Sequence, residues 1–496
     1  MNTVNLMACW MYGCDNTAFD NLLDGLKVQE CTCIISDPEN ISRKDLFLIK
    51  IGNPLSYYQN ADICVELDDE IINRMKPYEQ VCMDIIYRWH KSFIEKNDYK
   101  TIKMLYFVFL RFWNDYIVRH NINLMLISIM PHAVEEFIPY AICKARDIPT
   151  VIQGVIPFTN GEKTNYILRP SHDMFDANIS YRYKTLRNKY KDNNEVIPLN
   201  PEMRRYFQQY DAHAQQNKKV IFFNEKTTVK DRIKEYKERT KKYLKRGEYK
   251  VLANKIRYMV LIKTQTKHFL SKVEKLEEEA KCDRKFLLFC LHLQPEATTT
   301  PGGGNYADQL LAIRLLSQCL PDDMYLYVKE HPAYWTQKNR LESVYESRNE
   351  QFYKNIKNLR NVCLIDHKLS SGELLNKCYA VVTVTGTVGF EAIFKGIPVI
   401  TFGATFYEDY PTVHRIRTKE DCKRAILAIQ AENRTPNYRE IEIFLAAIQK
   451  YVVPLGMFEK NFLDNGAPAL TDDDRLHLVS KIIEFYQEFY YSNKEV

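Results

Sequence analysis

The chain has 496 residues, enough for two or three domains, and its 46% hydrophobic and 27% charged residues exclude a disordered or fibrous protein. Its net charge is only +6 and no recognisable nucleic-acid motif accompanies the basic residues, so no nucleic-acid partner is expected. The 13 cysteines lack the paired spacing of a zinc or redox site, and even Cys31 and Cys33 fit neither, so they are read as reduced packing thiols.

The start, Met1 to Cys14, has no basic region, and its apolar run Leu6 to Tyr12 is short, so no secretory signal is expected. The first 200 residues alternate apolar runs with helical patterns. The most apolar long stretch, Ile102 to Met130, is interrupted by Arg111, Asp115, Arg119 and His120. A membrane span needs about 20 mostly apolar residues in a row, so this stretch reads as a buried helix followed by a strand. Asn123 to Met130 is expected as that strand, Val134 to Ala145 as a helix with Pro139 near its start, and Thr150 to Gln153 as the next strand. Such a strand–helix–strand unit belongs in a parallel sheet.

Lys230 to Lys245 and Tyr249 to Glu279 are rich in Lys and Glu, with apolar residues at helical spacing and a break at Gly247. Lys218 to Lys285 carries a net +12, which leaves −6 on the rest of the chain. The stretch reads as a solvated helical insertion, or as a surface for anionic lipid or a polyanionic acceptor.

A second α/β pattern begins at Lys285. Strands are expected at Phe286 to Leu293, Tyr325 to Val328, Asn361 to Ile365, Tyr379 to Val384 and Val399 to Phe402, with helices at Asp308 to Leu320 and Val388 to Lys395. Gly396 stands where a helix end needs a left-handed residue. Tyr438 to Tyr491 reads as mostly helical. The expected domains are an acceptor-side Rossmann-like domain over 1–200, a basic helical insertion over 201–285, a second Rossmann-like domain over 286–435 and a helical tail over 436–496. The fold class is therefore α/β, with two Rossmann-like domains facing a cleft and ligands held beyond the carboxyl ends of the strands.

Four motifs fall at such ends. Thr385-Gly386-Thr387 follows a β-branched strand and opens a helix, where exposed N–H groups attract an anion, Gly386 lets the backbone approach a phosphate, and Glu391 sits one turn further to accept from a ribose. The same residues also suit a plain capped helix. Lys329-Glu330-His331-Pro332 ends a strand: Lys329 supplies a charge and His331 a donor for phosphate, or the stretch is a surface loop. His292-Leu293-Gln294-Pro295-Glu296 runs on to Gly302-Gly303-Gly304, a mobile loop suited to closing over a substrate or a flexible loop without chemistry. No Gly-Lys-Ser/Thr follows, which excludes a Walker-type phosphate loop. Pro131-His132 with Glu135 and Glu136 places a candidate general base after the strand, or simply favourable carboxylates at a helix start. No His/Asp cluster with metal spacing is present, so neither a metal nor another cofactor is expected.

The run FLLFCLHLQPEATTTPGGGNYADQLLAIRLL, followed by LYVKEHP and VTVTGTVGFEAIFKGIPVITFG, resembles the bacterial capsule polysaccharide biosynthesis family, which includes the transferases that add Kdo to capsule lipid linkers. The resemblance covers about residues 285–410 and extends weakly to ISIMPH. It implies a GT-B glycosyltransferase whose C-terminal domain holds the nucleotide sugar, with Lys329, His331, Thr385, Gly386 and Thr387 on the donor phosphate. One position departs from the pattern. The Kdo transferases resemble Gln-Val-Glu-x-Asp, with the Asp as nucleophile, whereas this chain has Thr298 there, a poor nucleophile without an adjacent base.

The expectation is a metal-independent glycosyltransferase of capsular or lipopolysaccharide synthesis. It would move a sugar from a nucleotide donor, CMP-Kdo-like or other, to a glycan or lipid-linked acceptor. Glu296, Gln294, His132 and Glu135 are the expected catalytic set, and the protein is expected in the cytoplasm, at or near the inner face of the membrane. The alternatives are a CDP-alditol phosphotransferase of a teichoic-acid-like polymer, a nucleotide-sugar epimerase on the same plan and a non-catalytic capsule-export scaffold.

Overall fold

Short apolar, β-branched runs separated by amphipathic stretches build two sheets in this chain. The structure, a computed structural model, describes residues 3–9, 16–35, 45–50, 55–90, 98–128, 130–159, 164–170, 179–216, 257, 264, 267–281, 283–294, 296, 298–331, 334, 348–432, 434–454 and 472–492. The helix expected at Lys230 to Lys245, and most of the one expected from Tyr249, lie outside the described residues.

The first half runs β1 (Val4–Cys9), α1 (Asn16–Leu26), β2 (Val28–Ile35), β3 (Leu46–Lys50), α2 (Leu55–Gln59), α3 (Asp69–His90), α4 (Tyr99–Arg119), β4 (Leu124–Ile127), α5 (Val134–Ala145), β5 (Thr150–Thr159), β6 (Thr164–Pro170), α6 (Ile179–Tyr190) and α7 (Pro201–Gln216). Strands β3-β2-β1-β4-β5 are parallel neighbours in that order, and β6 adds antiparallel to β5. The apolar stretch from Ile102 is the buried face of α4, where Phe109, Trp113 and Ile117 pack with residues of α3 and α5 under the sheet. Helix α5 starts at Val134 because the Glu136 carboxylate accepts the His132 and Ala133 N–H groups at 2.8 and 3.2 Å, doing from inside the helix what a Ser or Asp cap does from outside. Pro139 sits within α5 rather than at its start.

The second half runs β7 (Lys285–Cys290), α8 (Gln309–Cys319), β8 (Met324–Lys329), α9 (Glu350–Lys357), β9 (Val362–Ile365), α10 (Ser371–Leu375), β10 (Ala380–Thr383), α11 (Val388–Phe394), β11 (Val399–Thr401), β12 (Val413–Arg415) and α12 (Lys419–Ala431). Its six strands lie in the order β9-β8-β7-β10-β11-β12 and are all parallel. Counted from β7 this is the order 3-2-1-4-5-6 of a Rossmann domain. Gly396 closes α11 at φ +67, and a Cβ there would meet the Thr435 carbonyl carbon at 2.3 Å.

The chain then returns to the first half. Helix α13 (Tyr438–Ile448) packs on α6, strand β13 (Val452–Pro454) pairs antiparallel with β6, and helix α14 (Asp472–Ser492) lies on α1. The stretch expected as a helical tail therefore also supplies an edge strand. The expected α/β class with two Rossmann-like sheets is what the chain forms. No helix among the described residues is long and apolar enough to cross a membrane.

Candidate functional site

Strands β7 and β10 are neighbours in the second sheet, and their connections leave in opposite directions, to β8 on one side and β11 on the other. Beyond their carboxyl ends a doubly wound sheet opens a crevice. His292, just past β7, reaches across it. Its Nε2 accepts the Val384 and Thr385 N–H groups, each at 3.1 Å, and lies 2.9 Å from Thr383 Oγ1. Burial, with Arg348 and His331 nearby, pushes this imidazole down to about 3, so it stays neutral and its proton belongs on Nδ1. Thr383 Oγ1 in turn accepts the Gly386 N–H at 2.9 Å. The buried Tyr407 hydroxyl donates to the Gly386 carbonyl.

These bonds fix the Thr385-Gly386-Thr387 turn. A Cβ on Gly386 would meet Thr383 Oγ1 at 2.6 Å and His292 Cε1 at 3.1 Å, so the turn requires glycine for space. Thr387 is exposed, caps nothing with its side chain, and its N–H and that of Val388 find no acceptor among the described residues. Two amides at the head of α11 thus point a partial positive charge at the crevice. Glu391, one turn in, is pushed up to about 7 by burial, with Lys395 opposing.

The glycine-rich stretch is a packed turn rather than a free loop. Pro301, Gly302 and Gly303 are buried, and Gly303 N–H bonds Thr299 O at 2.8 Å. A Cβ on Gly303 would meet Thr299 O at 2.8 Å and Val384 Cγ1 at 3.0 Å, so these glycines serve close approach, not motion. Thr385 Oγ1 donates to Thr298 O at 2.7 Å, which joins this turn to the Thr-Gly-Thr turn. Within it, Thr298 Oγ1 donates to the Glu296 carboxylate at 3.1 Å, and Gln294 Nε2 donates to Ala307 O at 2.6 Å.

The Lys-Glu-His motif is divided by the pleat. Lys329 is 2% exposed and its Nζ donates to His367 O at 3.0 Å, so its charge is spent on a main-chain carbonyl rather than presented to solvent. Burial lowers its pKa. Glu330 is buried against Arg348, accepts from Tyr353 Oη at 2.7 Å and takes the His331 N–H at 2.7 Å. Arg348 also donates to the His292 carbonyl, so one buried guanidinium holds the Lys-Glu-His motif and the stretch that begins at His292 together. His331 is half-buried at the rim.

One group of potential metal ligands occurs among the described residues: Glu277, Asp366 and His367, with ligand atoms within 4.8 Å of one another. The spacing in sequence hides it. Glu277 Oε1 accepts from His367 Nδ1 at 2.9 Å, and burial raises the Glu277 carboxyl against the pull of His367. The Lys329 ammonium on His367 O is a cation already in place, so the cluster reads as a hydrogen-bonded network.

In the first half, His132 Nδ1 lies 2.9 Å from Met130 O, which places the proton on Nδ1 and makes Nε2 the acceptor nitrogen. Glu136 Oε2 stands 3.4 Å from the same nitrogen and orients the ring. Glu135 is not part of this group: it is buried beside Tyr58, whose hydroxyl is pushed up by burial and by that carboxylate. Arg88 of α3 donates to the His132 carbonyl and, across to the second half, to Thr300 O at 3.3 Å. The structure thus brings His132, the Thr298–Gly304 turn and Thr385 into one hydrogen-bonded series. Arg88, Arg348, Thr383 and Tyr407 were not singled out from sequence. Only Thr383 carried a signal, as the hydroxyl ending a β-branched strand.

Residues 196–417 match the family model described as capsule polysaccharide biosynthesis protein. No curated protein matches the chain. Among solved structures it is similar to the beta Kdo 2,7 transferase of KpsC from Thermosulfurimonas dismutans, at 11% identity over 75% of this chain and 88% of that one, TM-score 0.31. The beta Kdo 2,4 transferase of the same protein gives 14% identity over 72% and 87%, TM-score 0.33. The UDP-GlcNAc 2-epimerase of Methanocaldococcus jannaschii gives 11% over 89% and 97%, TM-score 0.27. These likenesses are loose, and the fold is carried by the two sheets themselves. The part of the chain that matches the capsule polysaccharide biosynthesis model, residues 196–417, holds every strand of the second sheet.

Proposed function

We propose that the chain is a glycosyltransferase of bacterial surface polysaccharide synthesis, of GT-B type, that takes its sugar from a nucleotide donor held by the second half. The observation that carries this reading is the Thr387 and Val388 amide pair, open at the switch point of a Rossmann-ordered sheet. Preorganised donors at such a place stabilise the charge that grows on a leaving phosphate. His331 at the rim adds a donor. Glu391, protonated or ionised near neutral pH, takes the ribose hydroxyls. Lys329 acts indirectly, by fixing the turn after β9. Glu296 and Gln294 meet the sugar and the acceptor hydroxyl, and His132 Nε2, oriented through Nδ1, is the base from the other half. The acceptor is a glycan or lipid-linked glycan at the inner membrane surface, toward which the basic 218–285 stretch is drawn.

The test is thermal stabilisation by CMP, CDP, UDP and GDP at millimolar concentration. A ligand that binds only the folded state raises the melting temperature by mass action. Thr387→Pro deletes one of the two open amides at a residue whose φ of −65 already suits proline. One nucleotide should stabilise the wild type, and T387P should lose at least about tenfold in affinity, the scale of one charge-assisted hydrogen bond, with its own melting temperature little changed. No stabilisation of the wild type by any of the four would reject the site. CDP with a phosphate-containing product would favour the alditol phosphotransferase.

A further inference from the structure

We propose that Arg88 is a positioning residue that couples the two halves at their switch points, setting the distance between His132 and the Thr298–Gly304 turn. Its function in aligning acceptor and donor rests on the transferase reading above; its coupling role does not. The guanidinium stands near the end of α3, mostly buried, and donates to His132 O on its own side and to Thr300 O, at 3.3 Å, on the other. Burial lowers its pKa to about 10, with Glu136 and Asp84 opposing, so it remains a cation at neutral pH.

What it touches makes the contact more than a surface tie. On the first side the His132 carbonyl belongs to the segment whose N–H groups are held by Glu136 and whose ring is oriented by Met130 O and Glu136. On the second side Thr300 lies two residues from Thr298, whose carbonyl accepts from Thr385, and Thr385 N–H is held by His292. A displacement of Arg88 is therefore felt at the candidate base and at the Thr298–Gly304 turn together. The planar fork matters, because two carbonyls on different halves are reached at once, and an ammonium on a flexible stem does not reproduce that geometry.

The experiment is hydrogen exchange of the full chain, followed by mass spectrometry, for wild type, Arg88→Met and Arg88→Lys without ligand. In R88M the amides of 130–136 and of 298–304 should exchange about tenfold faster, while 384–390 and the strands of both sheets keep their protection. R88K, with the charge but not the fork, should keep 130–136 near wild type and still lose protection in 298–304. Faster exchange in 130–136 alone would reduce Arg88 to a local brace and overturn the proposal, as would no change in either segment. If R88M does not fold, R88K decides by the same criterion. A second arm adds whichever of CMP, CDP, UDP or GDP stabilises the wild type. That nucleotide should protect 384–390 in both wild type and R88M, and 130–136 in wild type only. Absence of any nucleotide effect in wild type would reject the donor site and leave the ligand-free result standing.

Discussion

His292 holds the Thr-Gly-Thr turn as an acceptor, and that has a consequence for acid stability. Its folded pKa of about 3 lies below its ordinary 6.5, so the unfolded chain takes up a proton that the folded chain refuses. The contribution is present above pH 6.5 and is lost as pH falls toward 3. His292→Gln offers an amide oxygen near the place of Nε2 and cannot be protonated there; it should keep nucleotide binding within about tenfold and melt less steeply with acid than wild type between pH 6.5 and 4. His292→Ala orphans two amides, the buried one of Val384 and the partly buried one of Thr385, and should cost about 2–4 kcal/mol in urea unfolding at pH 7.5. Glu391 works in the other direction. Its carboxyl is raised to about 7, so its contribution is present below 4.5 and lost as pH rises through 7. Glu391→Gln should therefore gain stability relative to wild type as pH increases from 4.5 to 8, and a flat difference would show the carboxylate to be solvated. His292 itself stood out in the sequence, as a polar residue emerging from an apolar strand. Arg348 and Arg88 did not, because a lone arginine carries no periodic signal and its burial depends on partners far along the chain. The burial of Lys329 was written in the period-two pattern, since it shares a face with the inward Tyr327, but a lysine at a strand end reads first as exposed.

The elements around the site were mostly legible because each is local. Val134 to Ala145, expected as a helix, is α5 to the residue, and the strand before the Thr-Gly-Thr turn is β10 shortened by one residue at each end. The triple glycine was the exception: sequence gives the same composition for a mobile loop and for a turn that must be approached closely. The contacts decide. A Cβ on Gly403 would meet Thr385 Cγ2 at 2.4 Å, Gly302 O at 2.8 Å and Val384 O at 3.2 Å, so three segments converge on it. Gly403→Ala should cost about 1–3 kcal/mol and weaken nucleotide binding, because two of the three neighbours are backbone and cannot step aside. Gly304 is the control. It needs glycine only for its φ of +53, with nothing within 4 Å of an added Cβ, so Gly304→Ala should cost about 1 kcal/mol and leave binding alone. Equal effects of the two substitutions on binding would mean that the packed turn has no part in the site.

At the scale of the whole molecule, the chain crosses from the first sheet to the second and comes back. A three-residue edge strand, β13, and a long helix, α14, complete the first half from the far end of the sequence. Neither step is visible in the sequence, because three residues carry no period and an amphipathic helix does not declare which core it covers. Leu478 and Ile482 on α14 are fully buried, and the helix sits so close to α1 that a Cβ on Gly25 would meet Ile483 Cδ1 at 2.4 Å. On the returning chain, the Glu440 carboxylate on α13 accepts from Tyr183 and from Arg187 Nε at 2.9 Å, so the return is also fastened to α6. The first half should therefore fail without its C-terminal segment. Ile482→Ala should cost about 2–4 kcal/mol in urea unfolding, the range for emptying a buried aliphatic site. Gly25→Val, at the contact between the two helices, should cost a comparable amount through overpacking, and the pair should be non-additive because both act on one interface. Removal of 452–496 would expose the α1 face as well, and the shortened chain should lose its cooperative transition altogether. A truncated chain that melts like the full one would mean that α14 only rests on the surface, and that the first sheet is closed by something other than the returning chain.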